Sequence, residues 1–227
     1  MSRTRTTALA VTLAVATLLT APSATAASVG TTTSTGTTTS TGATHPHPHT
    51  PPTCRGEGVD PDARIRYASE IVIKAPLDTV FKLQTDVERW PSWQPPVKTM
   101  ERLDSGRLRK GSQFRWTTPA PPTPTTPATT MEITSTVRQL QRGSCILWSG
   151  PAVGEGARID EGVHLWTFHK VRGGVRVRTV ETWTGDQVES LPNATELLGQ
   201  GLESWLHDLK TTAEALAAHR PVVSAPR

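Results

Sequence analysis

From about residue 63 the chain sets apolar and polar positions in short periodic runs, and each period implies an element. IRYASEIVIKA (65–75) is rich in β-branched residues and reads as a strand. Pro76 suits a first helical position, and Leu77, Val80, Phe81 and Gln84 follow at helical spacing. A second short helix is expected from Asp86 to Trp90, stopped by Pro91. Strand-like runs then occupy 97–103, 112–118, 129–140, 144–149, 162–171 and 174–184, with Gly173-Gly174 suited to a hairpin turn. The last element runs from Asn193 to about Ala218. Its Leu198, Leu202, Trp205, Leu209, Thr212 and Leu216 recur three and four apart, with Glu203, Asp208 and Lys210 off the stripe. Asn193 and Glu196 resemble a capping box, a simpler reading of Asn193-Ala194-Thr195 than a glycosylation sequon. A helix with one apolar stripe needs a broad surface to lie on, and the antiparallel sheet is the candidate. The order β-α-α-β-β-β-β-β-β-α, in about 155 residues, makes one α+β domain.

Strand alternation sorts the side chains by face. In 174–184, Val175, Val177, Thr179, Glu181 and Trp183 oppose Arg176, Arg178 and Thr182. The arginine face is expected in water, which turns Glu181 inward. His164, Trp166 and Phe168 share the inner face of their run, as do Met131, Ile133, Ser135 and Val137 of theirs. Phe114, Trp116, Ile146 and Trp148 point in, leaving Cys145 on the outer face.

The N-terminal region has a different texture. Arg3 and Arg5, the apolar run Ala8 to Thr20 and Ala24-Thr25-Ala26 read as a signal peptide cleaved after Ala26 (1–26). Residues 27–62 form a Thr/Ser/Pro/His-rich linker, in which TTTSTG occurs twice in tandem; it holds too little apolar surface to fold. The domain then spans 63–219, and 220–227 is a disordered tail. His45, His47 and His49 alternate with proline, which splays them around an extended helix, so a solvated spacer is preferred to a metal site. No metal or cofactor is expected.

Export places the protein outside the cell or in its envelope. An oxidising compartment favours a bond between the two cysteines, Cys54 and Cys145, over two free thiols. The formal charge is +4, of which Arg3 and Arg5 leave with the signal. That is too little for a phosphate-backbone footprint, so no nucleic-acid partner is expected. A monomer without stable membrane insertion is expected.

Ile73, Ala75-Pro76, Val80-Phe81, Leu83, Asp86, Trp90, Trp93, Pro95 and Val97 follow one another as strand, two helices and a W-x-x-W-x-P-x-V segment. Gly111, Phe114-Arg115-Trp116, Trp148, Trp166, Glu181, Gly185 and a long C-terminal helix come next. This order, over residues 64–218, resembles the START-like or Bet v 1-like helix-grip superfamily in its SRPBCC polyketide cyclase/dehydrase branch. The resemblance implies a curved seven-stranded antiparallel sheet wrapped around the last helix. It also implies a cavity between them that takes sterols, lipids, polyketides or other apolar molecules. Two features depart from the pattern: the exported leader, and TTPAPPTPTTPATT (117–130) between the third and fourth strands. This proline-rich hairpin is expected near one end of the barrel as a rim or a contact surface.

The expected ligand-binding residues are Trp93, Phe114, Trp116, Ile133, Trp148, His164, Trp166, Glu181, Trp183, Leu198, Leu202 and Trp205. The same aromatics would serve equally as plain core. Glu181 and His164 are the candidates for chemistry, since a carboxyl buried among tryptophans is held protonated and a neighbouring imidazole can share its proton. Three functions fit: binding of an apolar or amphipathic small molecule, a cyclase/dehydrase-type reaction using Glu181 and His164, and an envelope interaction protein with no ligand.

Overall fold

A computed structural model describes residues 51–124 and 126–219. Its strands are β1 (Ile65–Ile73), β2 (Thr99–Arg102), β3 (Gln113–Ala120), β4 (Thr129–Gln141), β5 (Cys145–Gly154), β6 (Ala157–Val171) and β7 (Gly174–Thr184). They form one antiparallel sheet in the order β1-β7-β6-β5-β4-β3-β2. Consecutive strands from β2 to β7 pair as hairpins, and β1 pairs with β7 in a register that opposes Tyr67 to Glu181 and Ile73 to Val175. Helix α1 (Leu77–Thr85) and a 3₁₀ turn (Val87–Ser92) link β1 to β2; α2 (Asp186–Glu189) precedes α3 (Ala194–Ala218).

Local chemistry accounts for several differences from the sequence reading. Pro76 is the N-cap of α1 and not its first residue. The second helix is a 3₁₀ turn that contains Pro91 instead of stopping at it. The turn between β6 and β7 is Arg172-Gly173, with Gly173 at φ 84°. Asn193 does stand at the N-cap of α3, but its side chain makes no capping hydrogen bond, and Glu196 accepts instead from Gln200.

The buried face of α3 is Leu198, Leu202, Trp205, Leu206, Leu209 and Ala213. The expected stripe is therefore right from Leu198 to Leu209 and fails at its C-terminal end. Leu216 lies 18 residues beyond Leu198, five full turns at about 3.6 residues per turn, so the stripe keeps one azimuth along the helix. Leu216 is nevertheless 48% exposed, and Ala213 is the last buried residue of the helix.

Trp90, fully buried, lies where α1, the sheet and α3 meet. It is edge-on to Phe114 (5.5 Å), Trp116 (5.9 Å) and Trp205 (4.9 Å). Buried Gln84 holds both indoles in place: its carbonyl oxygen accepts from Trp90 Nε1 and its Oε1 from Trp205 Nε1, each at 3.1 Å. Such edge-to-face pairs contribute about 0.5–1.5 kcal/mol each beyond area burial.

The outer face of the sheet is not all in water, contrary to the expectation for the arginine side of β7. Val180 and Thr182 are buried there at 1% and 2% exposure. Leu147, Leu165, Val180 and Cys145 form an apolar patch covered by Cys54 and Val59. Cys54 and Cys145 are joined by a disulfide, with Cα atoms 5.5 Å apart. Glu57 adds ion pairs to Lys110 (3.7 Å) and Arg138 (3.6 Å) and a hydrogen bond from Gln139. The packed chain thus reaches back to Cys54, before the boundary at residue 63.

Candidate functional site

A cavity of about 440 Å³ lies between the inner face of the sheet and the first half of α3. This is within the range of about 300–1,000 Å³ for small-molecule pockets. Alternation delivers its sheet wall: Trp116 from β3, Met131, Ile133 and Ser135 from β4, Trp148 from β5, His164 from β6, Glu181 and Trp183 from β7. The helical wall is Leu198, Leu202 and Trp205.

The proline-rich hairpin reaches the same cavity through Pro119, Pro121, Thr123 and Thr126. Thr126 Oγ1 donates to Gly156 O at 3.0 Å, and Thr129 Oγ1 accepts from the Glu155 amide at 3.1 Å. The hairpin is thereby fastened to the β5–β6 turn, and Gln187 of α2 donates to the same Gly156 oxygen.

The cavity wall brings together Trp116, Ile133, Trp148, His164, Glu181, Trp183, Leu198, Leu202 and Trp205. It does not include Trp93, Phe114 or Trp166, which belong to the aromatic core beneath. Phe114 lies one inward step along β3 from Trp116 and packs on Trp90 and Trp148. Trp166 is the equivalent step along β6, stacked behind His164 at 5.0 Å. Trp93 is half-buried at the end of the 3₁₀ turn, 6.5 Å from Trp205, and its neighbours Gln94 and Pro96 reach the cavity in its stead. Gln94 is fully buried with neither amide atom hydrogen-bonded. Sequence reasoning missed it, because a glutamine between tryptophan and proline reads as surface.

Two glycines shape the wall next to the polar groups. Gly150 and Gly162 face each other across β5 and β6, beside an irregularity of register between Gly150 and Ala152. A Cβ on Gly150 would lie 1.8 Å from Thr134 O, so only glycine allows β4 this close. A Cβ on Gly162 would lie 3.4 Å from Glu181 Oε1. Glycine inside a strand was the sequence signal for this notch.

His164 and Glu181 are directly opposed in the β6–β7 register, with Nδ1 3.0 Å from Oε2. Trp183 Nε1 donates to Glu181 Oε1 at 2.8 Å, and His164 Nε2 lies 2.7 Å from buried Thr179 Oγ1. Desolvation dominates both groups. It raises the Glu181 carboxyl from 4.5 to about 7, against the lowering effect of the Trp183 hydrogen bond, and lowers His164 from 6.5 to about 3. Near neutral pH the imidazole is uncharged and the carboxyl titrates. With Glu181 ionised, Nδ1–H donates to the carboxylate and Nε2 accepts from Thr179. With Glu181 protonated, its O–H donates to Nδ1 and the imidazole switches tautomer, so that Nε2–H donates to Thr179. The proton on Glu181 and the direction of the whole chain are one variable.

Residues 64–217 match the family described as polyketide cyclase/dehydrase and lipid transport. The chain belongs to this family. Three solved structures agree with the fold. A START superfamily protein from Mycobacterium smegmatis is 15% identical with a TM-score of 0.55, covering 66% of this chain and 98% of that one. An aromatase/cyclase from a Streptomyces species is 16% identical with a TM-score of 0.51, covering 69% and 98%. A protein from Thermus thermophilus is 20% identical with a TM-score of 0.51, covering 68% and 99%. A comparison with curated proteins finds no match. The family and its helix-grip fold carry an apolar ligand cavity, as the sequence resemblance implied.

Among the described residues, no group of three or more His, Cys, Asp or Glu side chains is placed to hold a metal ion, and no helix is long and apolar enough to cross a membrane. The expected signal peptide and His45, His47 and His49 lie outside the described residues.

Proposed function

We propose that the protein is exported by its N-terminal segment and, as a monomer, binds an apolar or amphipathic small molecule in the cavity between sheet and α3. One observation carries this reading: a cavity of about 440 Å³ whose wall is mostly tryptophan and aliphatic side chains, with its polar groups gathered at Glu181 and His164. Side chains meant only as core would close such a volume, since interiors pack to near-crystalline density. The Cys54–Cys145 bond is compatible with an oxidising compartment. Native mass spectrometry of protein purified from a secreting host tests the reading. The expected result is a retained small molecule, with a melting temperature that rises on adding it back. Protein that arrives empty and shows no shift across a lipid and sterol panel would refute it.

A second reading, a cyclase/dehydrase-type enzyme, rests on the 3.0 Å contact between His164 and Glu181 at the cavity wall. An ionised Glu181 would take a proton from an enolisable or hydroxylated ligand, and His164 would answer by changing tautomer. Glu181→Gln would then abolish turnover of the retained molecule while leaving its binding intact.

A further inference from the structure

Among the described residues, Glu181 reaches the cavity wall without a cationic partner. The charged and titratable groups around it can be named element by element. From β6 comes His164, 6% exposed and unprotonated at neutral pH because burial disfavours its charge. Farther along β6 is Arg158, at the cavity mouth. It is six residues from His164, roughly 20 Å along an extended strand, and is already paired with Asp160. From β1 comes Tyr67, opposite Glu181 in register, whose hydroxyl donates to Glu203 of α3. The cavity-facing residues of α3 beside it, Leu198, Leu202 and Trp205, carry no charge. A carboxylate here is therefore desolvated and uncompensated, the arrangement that interiors avoid unless a partner arrives.

The same cavity is lined by Trp116, Trp148, Trp183 and Trp205. Indole faces attract organic cations, most strongly where water is excluded. Trp183 has its N–H turned to Glu181, which fixes the ring against the carboxyl. Gly162 leaves the carboxyl open to a ligand atom, since a Cβ there would lie 3.4 Å from Glu181 Oε1, while Gly150 lets β4 approach beside it.

We infer that the natural ligand is an apolar molecule carrying a protonated amine, held by Glu181 within the tryptophan wall. This rests on the ligand-binding reading above and narrows it to a chemical class. The amine supplies the cation that the protein lacks, and its N–H donors meet the lone pairs that Trp183 and His164 leave free on the carboxylate.

Three probes with one apolar body separate the possibilities: decylamine, decanol and decanoate, titrated into the full chain by calorimetry. The amine is expected to bind tighter than the alcohol by about tenfold or more at about pH 8.5, with decanoate weakest. Lowering the pH to about 6 protonates Glu181, so the amine should lose its advantage while the alcohol changes little. Glu181→Gln should bring the amine down to the affinity of the alcohol and leave the alcohol unaffected. Equal binding of amine and alcohol by the unaltered protein, or a preference that does not respond to pH, overturns the inference and spares the general binding reading. Failure of all three probes to bind overturns both. The pH comparison needs no variant, so the test stands even if Glu181→Gln folds poorly.

Discussion

Glu181 and His164 pull the stability of the fold in opposite directions as pH changes. A carboxyl raised from 4.5 to about 7 stabilises the folded state fully below 4.5, and that contribution is lost as pH rises through 7. An imidazole lowered from 6.5 to about 3 stabilises above 6.5, and its contribution is lost as pH falls toward 3. Between 4.5 and 6.5 the two slopes cancel, so this pair leaves stability nearly level in that window. Glu181→Gln removes one side of the balance. Urea unfolding should show the variant losing about 2 kcal/mol more than the unaltered protein between about pH 7 and pH 5. Equal losses would mean that Glu181 is solvated in the folded state. Alternation in β6 and β7 was enough to turn both residues inward. It gave no sign that Gln94 would be buried with them, because burial there depends on how the 3₁₀ turn presses the chain beneath α3.

At the scale of elements, α3 is placed by what its small residues permit. A Cβ on Gly199 would lie 2.6 Å from the ring of Tyr67 in β1, whereas one on Gly201, at the cavity mouth, meets nothing within 4 Å. Alanine at either position gains up to about 1 kcal/mol of helix propensity. At Gly199 the overpacking cost of about 1–3 kcal/mol outweighs that gain. Gly199→Ala should therefore lower the melting temperature and Gly201→Ala should raise it; calorimetry of the two variants side by side checks the pair. The strand order and the long helix were legible because their periods are sustained over many residues. The C-terminal end of the α3 stripe was not: Leu216 shares the azimuth of buried Leu198, and period alone gives no sign that it stands 48% exposed. Short elements such as α2, with four residues, give too little period to detect.

Across the whole molecule, the disulfide closes a loop of 91 residues and holds residues 54–59 over the outer patch. Reduction, or Cys145→Ser, should cost about 2–4 kcal/mol, read as a lower denaturant midpoint. The cavity wall itself should be unchanged, because Cys54, Val59 and their contacts lie on the opposite face of the sheet from Glu181. The pairing was foreseeable from the expected export and the outward face of Cys145. The apolar cover around it was not, because Val59 sits in a polar stretch and the arginines of β7 suggested a wet face.

That attachment point also decides how the domain can be held. Cys145 begins β5 and Gly154 ends it beside the mouth, a separation of about 30 Å along the strand. Anything that anchors the chain upstream of Cys54 pulls on the rear of the sheet, and the covalent bond carries that load into β5 without passing through the hairpin or α2. The pull would then enter the domain at the end of β5 that lies far from the mouth.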